Sequence, residues 1–152
     1  MTSASEHRSS TLGWFVGHPR FVVRPWCDPV IDSLGYDARH VYVETYWLPI
    51  LGPSAVLAAR RLADLLDQHP AGVNIDLVEL GASLGIGAGT GRHTQINRTL
   101  NRLVDFHLAR ISGDELEVHT TFPPLPLRLR RRLPQSLLDA LAEHERRGPR
   151  SA

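Results

Sequence analysis

A chain of 152 residues with 42% apolar and 22% charged side chains has the composition of one globular domain with room for extensions. No apolar run reaches the ~18 residues of a membrane-spanning helix. Residues 1–12 (MTSASEHRSSTL) lack a secretory pattern, so the expected address is the cytoplasm, away from any membrane. A single cysteine, Cys27, excludes an internal disulfide and reads as a small core residue; 17 Arg with no Lys exclude a P-loop lysine and Schiff-base chemistry. The net charge of +1 says nothing for or against nucleic acid, so the distribution of charge has to decide.

Residues 1–12 read as a disordered tail and 13–40 as an N-terminal arm, broken by Gly13, Gly17, Pro19, Pro25, Pro29 and Gly35. Within the arm, Phe21-Val22-Val23 is a strand candidate, and Trp14, Phe15 and Trp26 offer large apolar surface. A helical, largely buried segment starts near Val41, and Gly52-Pro53-Ser54 opens a new helix over Ser54–Gln68. Asp76 is placed to cap a short helix, Leu77–Leu84, with Leu77, Leu80 and Leu84 as one stripe. The glycine-rich turn GIGAGTG leads to a longer helix, about Thr94–Phe106, whose apolar face is Ile96, Leu100, Leu103 and His107. The period then changes from helix to strand. Leu108–Ile111 and Leu116–Thr120 flank the turn Ser112-Gly113-Asp114-Glu115 as a β-hairpin. After Phe122, PPLPLRLRRRLPQ reads as an extended arm, and Pro134 starts a last helix to about Arg146.

Helix, short helix, turn, longer helix, hairpin is the order of a winged helix-turn-helix. The expected fold is therefore mainly α with a small β-hairpin: the winged helix over 41–122, the N-terminal extension before it, and a C-terminal arm and helix over 123–152. In such a module the second helix enters the major groove. At about 100° per residue, Thr94, Arg98, Asn101, Arg102 and Asp105 point away from the apolar face, with Gln95 and Asn97 beside them. Arg suits guanine, Asn and Gln suit adenine, and Thr suits a methyl group or a phosphate. Arg92 and His93 precede the helix, where backbone N–H groups also face phosphate. Residues 92–110 hold four Arg against one Asp. The candidate DNA-binding residues are thus Arg92, His93, Thr94, Gln95, Asn97, Arg98, Asn101 and Arg102.

The acidic hairpin tip (Asp114, Glu115, Glu117) is unsuited to lying along a DNA backbone. A second basic cluster, Arg128, Arg130, Arg131 and Arg132, can touch the DNA backbone or pair with acidic residues of a partner. GIGAGTG lacks the GxGxxG register and follows a helix, so it is not a dinucleotide fingerprint. His40 and Glu44 lack a ligand set around them, Asp28 and Asp32 read as turn and capping residues, and no GxSxG occurs. No catalytic residue, metal or other cofactor is expected.

Residues 28–66 (DPVIDSLGYDARHVYVETYWLPILGPSAVLAARRLADLL), with the C-terminal PPLPLRLRRRLPQSL, resemble a family of small, uncharacterised actinobacterial winged helix-turn-helix proteins. More distantly, YWLPILGPSAVLAARRLADLL is similar to the opening helix of the winged-helix domain of DnaD-type replication-initiation proteins. That resemblance implies a domain serving DNA contact and self-association. The reading is a sequence-specific DNA-binding protein, a transcriptional regulator acting on double-stranded DNA as a homodimer. Its pairing surface is expected in the aromatic N-terminal region or the C-terminal helix (Leu137, Leu138, Leu141). The alternative is a winged helix used for protein–protein contact in a larger assembly.

Overall fold

The computed structural model describes residues 4–87, 89 and 91–148, with the backbone alone over 4–10. The chain is mainly helical around a small mixed sheet. In order it forms α1 (Ala4–Gly17), β1 (Arg20–Pro25), α2 (Pro29–Leu34), β2 (Tyr36–Asp37), a π-turn (Val43–Trp47) running into α3 (Leu48–Leu51), and α4 (Pro53–Gln68). Then come β3 (Val73–Asp76), α5 (Leu77–Ser83), α6 (Gln95–Asp105), β4 (Ala109–Ser112), β5 (Glu115–Val118), β6 (Thr121–Phe122), α7 (Leu127–Arg130) and α8 (Gln135–Arg146).

From α4 to β5 the helices and the hairpin stand where the residues place them, and β3 is an added strand that was not expected. Pro53 opens α4 at a position where its missing N–H costs nothing. Asp76 caps α5, its Oδ1 accepting from the Val78 and Glu79 amides at 3.0 and 3.1 Å. Asp28 caps α2 in the same way. Gly81 lets α5 lie close to α6: a Cβ there would stand 2.9 Å from the Gly87 carbonyl oxygen and 3.1 Å from Ile96 Cβ. Ile96, Leu100 and Leu103 are buried between these helices, α4 and the sheet.

The N-terminal region departs from expectation. Residues 1–3 of the expected tail lie outside the described residues. From Ala4 the chain is helical instead of disordered, and α1 runs through Gly13. Packing overrides the weak propensity of glycine here, because Phe15 is completely buried among the core residues. Nor is 13–40 an appended arm. β1 is an inner strand, in the order β3-β1-β5-β4, antiparallel to β3 and parallel to β5. Phe21 is registered with Ile75 and Val23 with Leu116, and all four are buried. Pro25 occupies the end of the strand, where the ladder stops. β2 and β6 form a second small ladder that ties residues 36–37 to the end of the hairpin region. Cys27, expected in the core, is exposed in the loop before α2.

The C-terminal segment is not extended either. Leu125, Leu129 and Leu133 are buried while Leu127 is exposed, a spacing of four that the one-turn helix α7 creates. α8 docks on its own chain. Leu141 is buried in the core, His144 Nε2 lies 3.0 Å from the Tyr36 hydroxyl, and Arg130 pairs with Glu145 at 2.5 Å. Trp14, Phe15 and Trp26 are likewise packed within the chain. Both surfaces expected to pair two chains are thus engaged intramolecularly. No helix among the described residues is long and apolar enough to cross a membrane.

Candidate nucleic-acid interface

α6 holds most of the candidate site, and the helices packed on it, α1, α4 and α5, together with β4, decide which side chains remain accessible. Gln95, Arg98 and Arg102 form an exposed stripe at i, i+3 and i+7. Arg92 and His93 are exposed in the turn before it. The other expected readers are not accessible. Asn97 is completely buried and donates from Nδ2 to the Leu12 carbonyl of α1 at 3.4 Å. Asn101 is buried one turn further on and donates to Asp105 at 3.3 Å. Thr94, the N-cap residue, is half-buried beneath the glycine turn, where Gly89 leaves its methyl room: a Cβ on Gly89 would stand 2.7 Å from Thr94 Cγ2. The face expected to be open over Thr94, Asn97 and Asn101 is therefore covered. Ile96, Leu100 and Leu103 are buried as helical rotation expects, but Leu12 of α1 lies against Asn97 and Gly89 of the turn against Thr94.

His107 also differs from expectation. It is exposed, and its φ of 59° puts it in the left-handed region that ends α6. The Leu108 amide donates back to the Leu103 carbonyl at 2.9 Å across it. His107 is thus a helix stop rather than a member of the apolar face.

The accessible stripe borders a shallow groove of about 290 Å³, lined by Leu51, Gly52, Ser54, Gln95, Arg98, Thr99 and Arg102. Across it stands the N-terminus of α4, whose Gly52 cap supplies no side-chain acceptor, so the positive end of the helix dipole faces the arginines. Thr99 is held between the Gln95 carbonyl and Ser54 Oγ, at 2.7 and 3.1 Å, which fixes the distance between the two helices. Arg102 donates to the Ile50 carbonyl at 3.0 Å and lies over the Phe106 ring at 5.9 Å. Arg132, from the segment between α7 and α8, lies over the same ring at 5.7 Å. Phe106 therefore joins the basic stripe of α6 to the second basic cluster. Neither Phe106 nor Arg132 was among the candidate DNA-binding residues; the position of Phe106 four residues after Arg102 on one helix is the signal that could have found it.

The charges separate by location. Among the described residues, Arg20, Arg24, Arg39, Arg60, Arg110, Arg130, Arg146 and Arg147 each stand in ion-pair contact with a carboxylate. Arg98, Arg102, Arg128, Arg131 and Arg132 have no such partner, nor does Arg61 of α4, which donates to Ser83 Oγ instead. Arg130, read with the basic cluster, is the member that is neutralised within the chain.

The hairpin tip is neither basic nor free. The Trp14 indole N–H donates to the Gly113 carbonyl at 3.0 Å, and His18 Nε2 lies 3.3 Å from Asp114. Glu115 is gripped by Arg24, whose hydrogen bond holds the carboxyl below its ordinary range, and Glu117 is bound by Arg110 at 2.7 Å. The acidic residues of the hairpin are thus matched inside the molecule.

Beyond α6, His40 Nδ1 accepts from the Tyr42 amide and Glu44 pairs with Arg60, so the two do not face a common centre. No group of three or more His, Cys, Asp or Glu among the described residues could hold a metal ion. No family model, no curated protein and no solved structure matches this chain.

Proposed function

We propose that the chain is a winged helix-turn-helix protein that binds double-stranded DNA through the exposed stripe of α6, as a sequence-reading regulator. The single observation that carries the proposal is the separation of charge. Among the described residues, the arginines with no carboxylate partner are Arg98 and Arg102 on α6, Arg128, Arg131 and Arg132 on the C-terminal segment that reaches it, and Arg61 on α4, which donates to Ser83, while most others are neutralised. A chain of net charge +1 then still presents a local cationic surface to phosphates. The order α4, β3, α5, α6, β4, β5 supports the winged-helix reading, with β1 inserted between β3 and β5 as the departure from the simplest form. Gln95 and Arg98 occupy the N-terminal half of α6, the part of a recognition helix that meets base edges. Arg102 and Arg132 suit phosphates on either side of the groove.

Titration of a random-sequence duplex at two salt concentrations tests this. Binding should weaken as salt rises, because each phosphate contact releases counterions. Arg102→Ala should flatten the salt slope by about one unit and weaken all sequences alike, whereas Arg98→Ala should cost about 1–3 kcal/mol on a preferred site if it reads guanine. Salt-independent or absent binding overturns the proposal.

A second reading has one observation in its favour. The hairpin tip is acidic and tied to α1 through Trp14 and to His18 just beyond it, so it does not reach outward as a DNA-binding wing does. That favours a winged helix docking on another protein through the same cationic stripe. Binding to an acidic protein but not to a duplex separates the two.

A further inference from the structure

All three tyrosines of the chain meet in one place. Tyr36 of β2 and Tyr42 stack with their ring centres 3.8 Å apart, and the Tyr46 ring lies 4.9 Å from that of Tyr42. Tyr42 stands at the start of the π-turn and Tyr46 within it, and such turns are rare and frequent at functional sites. His144 of α8 is tilted by 55° and 53° against the Tyr36 and Tyr42 rings, as a second wall. Beside these rings is a cleft of about 200 Å³, lined by Tyr36, Tyr42, Pro124, His144, Glu145 and Gly148. None of these residues belongs to the α6 stripe or to the groove along it.

The cleft is electronegative. Glu145 brings a carboxylate that is 45% exposed; Arg130 meets its Oε1 at 2.5 Å but does not line the cleft. A carboxylate has two oxygens with about four lone-pair sites, so one arginine leaves room for a second donor. The two phenols and the imidazole can also accept hydrogen bonds, and no arginine is among the lining residues. His144 and Glu145 lie in the last turn of α8 and Gly148 just beyond it, so the negative end of the helix dipole adds to the carboxylate. Arg146 and Arg147, next in the chain, are bound to Glu143. Burial, and then the field of Glu145, push the Tyr36 hydroxyl above its ordinary value; Tyr42 is raised mainly by burial, and both remain neutral phenols. The π-systems of such rings attract cations.

We propose that this cleft binds a small organic cation, an alkyl- or quaternary ammonium, with its charge against Glu145 and its carbon atoms against Tyr36, Tyr42 and Pro124. Drug-sized sites begin at about 300 Å³, so the ligand is compact. The site goes beyond the DNA-binding reading and does not rest on it.

Choline and its uncharged isostere, in which carbon replaces the quaternary nitrogen, test this when titrated into the full chain at constant ionic strength. Choline should bind about tenfold more tightly than the isostere, because the two share a shape and differ in charge. The tyrosine ring protons, all of which lie in this cluster, should shift in the NMR spectrum as choline binds. Glu145→Gln keeps the size of the side chain and should weaken choline about tenfold while leaving the isostere unchanged. Glu143→Gln makes the same change on α8 outside the cleft and should leave choline binding as it was. Tyr36→Leu should also weaken choline; if that variant unfolds in a thermal melt, the two glutamate variants still decide. Equal affinity for choline and the isostere, tyrosine signals that do not move, or equal losses in the two glutamate variants overturns the site.

Discussion

The arginines of the sheet and those of α6 are the same side chain in opposite company. Arg20, Arg24 and Arg110 stand on or beside strands whose neighbours carry Asp76, Glu115 and Glu117, and each is paired. Arg98 and Arg102 stand on a helix whose flanks are taken up by packing with α1, α4 and α5, and no carboxylate reaches them. Register explains the difference. In a sheet, residues on adjacent strands meet directly, so opposite charges can be placed opposite each other: Arg110 is registered with Glu117. On α6 the only acidic residue, Asp105, sits at the C-terminal end and receives the Asn101 amide. A near-zero net charge therefore conceals one neutral region and one cationic one.

The largest effect expected is on the scaffold that holds the cationic stripe in place. Leu100 is completely buried behind it, and Leu100→Ala should cost about 2–5 kcal/mol of stability, read by denaturant unfolding. Duplex affinity should fall with it if the stripe acts as a rigid unit; unaltered affinity in a destabilised protein would show that α6 need not be positioned.

The comparison itself is tested by charge removal in the two regions. Arg98→Ala combined with Arg102→Ala should lower duplex affinity by about a hundredfold and the salt slope by about two units. Arg24→Ala combined with Arg110→Ala should leave affinity within about twofold at moderate salt, since exposed, internally paired charges contribute little at a distance. Equal losses in both double variants would mean that whole-protein charge, rather than the stripe, drives binding.

A smaller effect belongs to the sheet side. His119 is buried and stacked on Trp26, whose other neighbour is the Arg110 guanidinium at 4.3 Å. Burial pushes its pKa below the ordinary 6.5, against the raising influence of the Trp26 backbone and of Asp28 and Asp32. The unfolded chain then takes up the proton first, so stability should decline as pH falls through about 6.5 and below. Thermal melts of His119→Phe across pH 5–7 should lose that slope. A wild-type slope that survives the substitution would place its origin in another histidine.

The smallest effect is local. His107 holds a left-handed conformation that glycine adopts freely, so His107→Gly should raise stability by about 1 kcal/mol without altering duplex binding. A drop in stability would mean that the imidazole makes a contact worth more than the backbone strain.

The helices α4, α5 and α6 and the hairpin β4–β5 were legible because their signals are local, whereas β3 was not read. Leucine spacing marks α4, α5 and α6, Asp76 supplies a cap within three residues, and Gly113 turns the hairpin at a φ of 62°. The polar stripe Gln95, Arg98 and Arg102 follows from helical rotation alone, and the structure leaves it exposed.

Tertiary structure decided the rest, because the deciding partners are distant in the chain. Leu12 meets Asn97 across 85 residues, and nothing near Asn97 signals that a helix from the N-terminus will bury it. β1 joins the sheet through parallel pairing with β5, a contact between segments more than 90 residues apart, so Phe21-Val22-Val23 could be read as a strand but not placed. Arg132 reaches Phe106 only because α7 turns the C-terminal segment back onto α6. Hydrophobic period and capping are properties of neighbouring residues and can be read from order alone. Which face of a helix stays open is a property of what packs against it, and here that was set by both ends of the chain closing on its middle.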